Sequence, residues 1–124
     1  MSKPGKTGII RVIDAFGYSM KGFAAAWRYE AAFRQEVALG VILIPMAFWL
    51  AQTPVELILL ISSVFWVWMA ELANSSVEAV VDRTGSEKHE LSGRAKDIGS
   101  ALVFVSLVLL ALVWGIIAFY RFVA

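Results

Sequence analysis

Glu71, Asn74, Glu78 and Asp82 follow one another at spacings of three, four and four residues, near the end of an apolar run that covers 55–81. At about 100° per residue on a helix, these spacings put all four on one face, within roughly 80° of arc. Carboxylates and a carboxamide in line can hold a hard divalent cation. A carboxylate kept partly from water can also accept a proton near neutrality. The apolar surroundings make the arrangement costly, because a carboxylate at the centre of a bilayer costs roughly 2.5–3.5 kcal/mol on insertion scales. Taken alone, Glu78, Asp82 and Arg83 match the interfacial charges of many helix ends. Glu71 lies too deep for that account.

The elements that must position this face are those of a membrane protein. The chain has 124 residues, 60% hydrophobic and 17% charged, which is too apolar for a soluble domain of this size. It reads as a single all-α membrane domain, 1–124. A net charge of +1 makes no electrostatic case for nucleic acid, and the absence of Cys excludes disulfides, a thiolate nucleophile and Cys-based metal sites. The first thirty residues lack a continuous apolar core and a small-residue cleavage site, so they do not resemble a cleaved signal peptide.

Three spans are expected, at about 35–51, 55–83 and 86–121, the last beginning as a cytoplasmic helix. The first is short and broken by Pro45, so it must borrow from its flanks and is expected to kink. Gln52-Thr53-Pro54 then makes a tight turn into the second. Lys3, Lys6, Arg11, Lys21, Arg28 and Arg34 precede span one, whereas the 52–54 turn has no Lys or Arg. Arg83, Lys88, Arg94 and Lys96 lie between spans two and three, and only Arg121 follows. The positive-inside rule therefore places the N-terminus and the 82–97 loop in the cytoplasm and the C-terminus outside.

Ahead of span one, Ile9, Val12, Ile13, Phe16, Met20, Phe23, Trp27 and Ala31 recur every three or four residues, with Arg11, Asp14, Tyr18 and Lys21 opposite. This predicts an amphipathic helix over about 8–34 in the cytoplasmic interface, with a bend at Gly17 or Gly22. Continued unbroken, that helix carries Glu30 and Arg34 onto its apolar side, which is expected only where it turns into a protein-lined site. Span two should stop at Arg83-Thr84-Gly85, with Ser86 capping the next helix and Glu87 and Glu90 near its positive end. Ala95/Gly99 and Ala111/Gly115 are small-residue pairs suited to close helix contact.

If the second span starts at Val55, Glu71 is roughly 24 Å along it, and Glu78 and Asp82 reach the inner surface. Glu30, Arg34, Lys96 and Asp97 converge on the same level. Paired Glu oxygens with an Asn amide and nearby Lys and Arg suit a magnesium-bound polyphosphate. Glu71, the deepest, suits a base that takes its proton from a lipid hydroxyl. No nucleotide-binding signature accompanies this: there is no G-x-x-x-x-G-K-[ST] and no strand pattern for G-x-G-x-x-G. His89 sits in a charged loop and reads as solvated, and the five Trp read mostly as belt or lipid-facing residues.

Segments 30–36 (EAAFRQE), 71–83 (ELANSSVEAVVDR) and 85–97 (GSEKHELSGRAKD), with YSMKG at 18–22, closely resemble the small integral-membrane diacylglycerol kinases of bacteria. The similarity covers nearly the whole chain. It implies phosphorylation of diacylglycerol to phosphatidic acid by MgATP, in a homotrimeric bundle of a surface helix and three spans with shared sites at the cytoplasmic face of the bacterial inner membrane. On that resemblance Glu71 is the general base, and Glu30 and Glu78 hold Mg²⁺ and the nucleotide. Arg11, Tyr18, Glu87, Lys88, His89, Lys96 and Asp97 contact ATP, and Asn74 supports its neighbours. Arg11, Ala15, Ser19, Ala24, Trp27, Arg34, Gln35, Glu71 and Ser100 face the lipid. Met20 stands where close relatives carry an aromatic residue, and Pro45 and the 52–54 turn look particular to this chain. A related subgroup phosphorylates undecaprenol, the alternative acceptor; the SGRAKD form at 92–97 looks more like the diacylglycerol subgroup.

Two readings of other classes compete. A proton- or cation-conducting oligomer would line a pore with the Glu71 face, yet the outer half of span two offers only Glu56, Ser62 and Ser63. A non-catalytic membrane subunit would leave Glu71, Lys96 and Asp97 unexplained.

Overall fold

A computed structural model describes residues 7–85 and 89–124, and these form four helices: α1 (Ile9–Tyr29), α2 (Ala31–Leu50), α3 (Pro54–Thr84) and α4 (Glu90–Phe122). Three of them, α2, α3 and α4, are long and apolar enough to cross a membrane. At 1.5 Å per residue, the 31 residues of α3 reach well past a hydrocarbon core of about 30 Å, which leaves its last turns outside the lipid. Many large apolar side chains are exposed along these helices, including Ile42, Phe48, Phe104 and Ile116, as expected of a lipid-facing surface.

The leading helix runs as one element through Gly17 and Gly22 and stops at Glu30, whose φ of −117° and ψ of 102° are extended. α1 therefore ends at Tyr29 rather than near 34, and 31–36 belong to α2. Glu30 serves both helices at once. Its N–H closes the last turn of α1 on Ala26 O at 2.9 Å, and its carbonyl accepts from Arg34 N at 3.3 Å to open α2. Arg34 completes the joint, donating from NH1 to Trp27 O at 2.6 Å and Arg28 O at 3.3 Å. Carbonyls at the end of a helix lack intrahelical partners, and a guanidinium there satisfies them and suits the helix dipole.

Within α2 the helix continues through Pro45. The turn to α3 is fixed by two side chains: Thr53 Oγ1 caps the helix by accepting from Glu56 N at 3.2 Å, while Glu56 Oε1 reaches back to accept from Gln52 N, the residue before the cap, at 2.9 Å, and Pro54 takes the first helical position. At the end of the bundle near the 51–53 turn, Ala47, Leu50 and Leu60 form a buried cluster, covered by Trp114, Ile117 and Val113.

Two of the five tryptophans tie helices together and are exceptions to the mostly belt or lipid-facing reading. Trp68 Nε1 donates to Glu36 O at 2.8 Å, and Gly40 makes room for its ring. Trp114 Nε1 donates to Ser63 Oγ at 3.1 Å, and Ser63, 1% exposed, passes its own proton to Leu60 O at 2.7 Å. Trp27, Trp49 and Trp66 are exposed.

The end of α3 follows the sequence pattern: Arg83 lies in the last turn, and Gly85 adopts φ 149°, a backbone that favours glycine. The next helix begins later than expected. His89, not Ser86, caps α4, with Nδ1 accepting from Leu91 N at 3.1 Å; Ser86 itself lies outside the described residues.

Candidate active site

Four segments bring acidic and polar groups together at one end of the bundle. The α1–α2 joint contributes Glu30, α2 contributes Glu36, α3 contributes Glu71, Asn74, Glu78 and Asp82, and the start of α4 contributes Lys96. Helical spacing aligns the α3 set. The break at Glu30 brings a residue distant in sequence to the same place, because ending α1 there lets α2 turn inward beside α3.

Glu71 is only 5% exposed, the most buried charged side chain among the described residues. The carboxylates of Glu36, Glu78 and Glu30 all lie within electrostatic reach of it. Burial raises the pKa of Glu30 above its ordinary 4.5, and the negative charges of Glu78 and Asp82 raise it further. Glu78 is held by its own helix, accepting from Asn74 Nδ2 at 3.1 Å through Oε1. One turn on, Asp82 Oδ1 lies 2.7 Å from Lys96 Nζ. The charge is therefore lopsided: four carboxylates crowd together and one ammonium meets the outermost of the α3 row. Such a site attracts a cation and can take up a proton.

Glu36 is a residue that sequence reasoning did not place in the site. Its Oε2 is buried and has no hydrogen-bond partner, and its backbone carbonyl is fixed by Trp68. Only its position six residues after Glu30, at the edge of an apolar run, could have drawn attention to it.

Between α1 and α3 lies a cleft of about 530 Å³, lined by Ser19, Phe23, Ala26 and Tyr29 on one side, Leu72 and Ser75 on the other, with Glu30 among its walls. Mostly apolar walls with a carboxylate suit an amphiphile. Of the residues expected to face a lipid, Ser19 lines this cleft. Arg11, Ala15, Ala24, Trp27, Gln35 and Ser100 are exposed elsewhere on their helices, Arg34 is engaged at the joint, and Glu71 is buried behind the cleft.

Of the residues expected to contact a nucleotide, Arg11 and Tyr18 lie exposed two turns apart on α1, with Lys21 Nζ over the Tyr18 ring at 5.8 Å from its centre. Asp97 is exposed on α4 beside Lys96. His89 is exposed and occupied as a helix cap, in a small pocket of about 280 Å³ with Thr84, Gly85 and Ser92. Glu87 and Lys88 lie outside the described residues.

The family model for prokaryotic diacylglycerol kinase matches residues 17–118. The chain belongs to the prokaryotic diacylglycerol kinase family. A diacylglycerol kinase of Haemophilus influenzae is 53% identical over 114 residues, covering 92% of this chain and 97% of that protein. The Escherichia coli K12 diacylglycerol kinase is 50% identical over 116 residues, 94% and 95% of the two chains. That of Pseudomonas aeruginosa is 49% identical over 113 residues, 91% and 92%. The segments that carried the resemblance, 18–22, 30–36, 71–83 and 85–97, all fall within the matched region. As a member of the prokaryotic diacylglycerol kinase family, the chain is a phosphotransferase carried by three apolar helices.

Proposed function

We propose that this protein transfers the γ-phosphoryl group of ATP to the free hydroxyl of diacylglycerol, forming phosphatidic acid and ADP at the cytoplasmic face of a bacterial inner membrane. The observation that carries the reading is the burial of Glu71 beside Glu30, Glu36 and Glu78 in a chain of this family.

The hydroxyl oxygen attacks the γ-phosphorus as the bond to the β–γ bridging oxygen breaks, and Glu71 receives the hydroxyl proton. A base sheltered from water holds that proton without exchanging it with bulk solvent. Glu30 and Glu78 suit Mg²⁺: their oxygens are hard, and the repulsion that burdens Glu30 is relieved by a divalent ion. Bound there, Mg²⁺ would neutralise charge on the β- and γ-phosphates. Asn74 holds Glu78 in place, and Lys96 turns from Asp82 to the transferring group. The α1–α3 cleft takes the glycerol end of the lipid. Catalysis is then chiefly positioning and electrostatics.

α1, with Ile9, Val12, Ile13 and Phe16 exposed along it, lies in the inner interface, and three copies assemble so that neighbouring chains complete each site. The N-terminus is cytoplasmic and the C-terminus periplasmic, on the distribution of Lys and Arg. The test is incubation of purified protein with labelled ATP, Mg²⁺ and separately diacylglycerol, undecaprenol or ceramide. Labelled phosphatidic acid as the main product supports the reading. Label on undecaprenol alone assigns the other subgroup, and no labelled lipid from any acceptor overturns the kinase reading.

A further inference from the structure

Gly99 lies in the interior of α4 with an ordinary helical backbone; the only glycines with positive φ among the described residues are Gly8 and Gly85. Conformational freedom therefore does not explain it, and alanine would favour the helix by about 1 kcal/mol. Space does. Gly99 is buried, and a methyl group built on it would fall onto Asn74 Oδ1, with Asn74 Cγ at 3.3 Å and Cα at 3.8 Å. On the same helix, Gly93 and Gly115 face open space and would meet nothing within 4 Å. The notch at Gly99 is thus specific to the Asn74 side chain.

The amide in that notch has a fixed sense. Its Nδ2 donates to Glu78 Oε1 at 3.1 Å, whereas Oδ1 is buried against Gly99 without a hydrogen-bond partner among the described residues. Turning the amide over would set its oxygen against a carboxylate oxygen and bury both N–H groups in the dry notch. Three residues earlier, Lys96 grips Asp82. The start of α4 therefore brackets Glu78 from both sides along α3, through Asn74–Gly99 and through Asp82–Lys96.

We propose that Gly99 is a positioning residue for the metal–nucleotide end of the site: its missing side chain seats the Asn74 amide, which in turn aims Glu78. The inference rests on the assignment of Glu78 to Mg²⁺ made above. A side chain at 99 displaces the amide, removes a hydrogen bond to a charged acceptor and lets Glu78 turn away, so the loss falls on MgATP binding more than on proton transfer at Glu71.

The experiment is a double-mutant cycle of Gly99→Ala and Asn74→Ala, with Gly115→Ala as control. It is read by calorimetric MgATP binding to the detergent-solubilised protein and by the Mg²⁺ dependence and KM against kcat of lipid phosphorylation. Gly99→Ala should weaken MgATP binding and raise the half-saturating Mg²⁺ concentration about tenfold, with kcat lowered less than about threefold. Gly115→Ala should change neither. In the Asn74→Ala background, adding Gly99→Ala should have no further effect, because the group it displaces has gone. Unchanged MgATP binding in Gly99→Ala, or effects that multiply across the cycle, overturn the inference as mere helix packing. Should Gly99→Ala fail to fold, the double variant must recover folding, and its failure overturns the inference equally. A wild-type protein that binds no MgATP contradicts the kinase reading itself, which separates the two failures.

Discussion

Lys96 Nζ sits 2.7 Å from Asp82 Oδ1, so the cation expected to meet a phosphate is paired with the outermost carboxylate of the α3 row. Both side chains are substantially exposed, and exposed ion pairs contribute little to stability. Asp82→Asn should therefore leave the unfolding midpoint in detergent unchanged, while Lys96→Met lowers phosphoryl transfer by at least about tenfold through loss of charge on the transferring group. Equal losses of stability in the two variants would mean that the pair is a structural clasp.

Glu30 predicts a pH effect on metal binding. Its pKa is raised above 4.5, first by burial and then by Glu78 and Asp82. A group with a raised folded pKa binds its proton more tightly folded than unfolded. The cost of burying its charge is thus fully present at pH above the folded pKa and is relieved as pH falls through it. Metal competes with that proton, so Mg²⁺ affinity should begin to fall at a pH higher than an ordinary glutamate would give. Mn²⁺ binding titrated from pH 7.5 downwards checks this, and Glu30→Gln should remove the acidic limb. An unchanged limb in Glu30→Gln would assign the titration to another group.

Ser63 gives the bundle an internal hydrogen bond between two of its long apolar helices, accepting from Trp114 across α3 and α4. Ser63→Ala leaves the indole N–H without its acceptor and should lower stability by about 0.6–1.7 kcal/mol, the range of such bonds in membranes. Turnover per folded molecule should not change. Unfolding in a detergent titration measures the first, and an unaltered midpoint would show that the bond contributes nothing.

Gly40 should be intolerant of a methyl group, which would overlap the Trp68 ring and come within 3.0 Å of Val64 Cγ1. Gly40→Ala should cost about 1–3 kcal/mol of stability by overpacking, partly recovered by Trp68→Phe. Equal stability in Gly40→Ala and wild type would show that the ring moves aside freely.

The row of Glu71, Asn74, Glu78 and Asp82 could be read from sequence because a helix translates spacing directly into a face. The three apolar helices were legible for a similar reason, since burial in lipid demands long unbroken apolar runs. The break at Glu30 was not. No proline or glycine marks it, and what stabilises it is Arg34 reaching back to Trp27 and Arg28 carbonyls, a contact that only the folded joint makes. Its trace was the misfit of Glu30 and Arg34 on an apolar side. At Gly17 and Gly22 the helix continues, since a glycine costs a helix only about 1 kcal/mol. Glu36 escaped notice because periodicity says nothing about a carboxylate that faces another helix. The roles of Trp68 and Trp114 were hidden likewise, since spacing cannot tell which indole N–H finds a partner.

The proton acceptor is the centre of the account, and the isosteric change Glu71→Gln tests it most directly. Purified wild type and Glu71→Gln are compared for transfer of labelled phosphate to diacylglycerol and, in parallel, for binding of MgATP. The account predicts that Glu71→Gln binds MgATP within about twofold of wild type while its turnover falls by about 10²–10⁴-fold, the usual contribution of a general base. Turnover equal to wild type would contradict it.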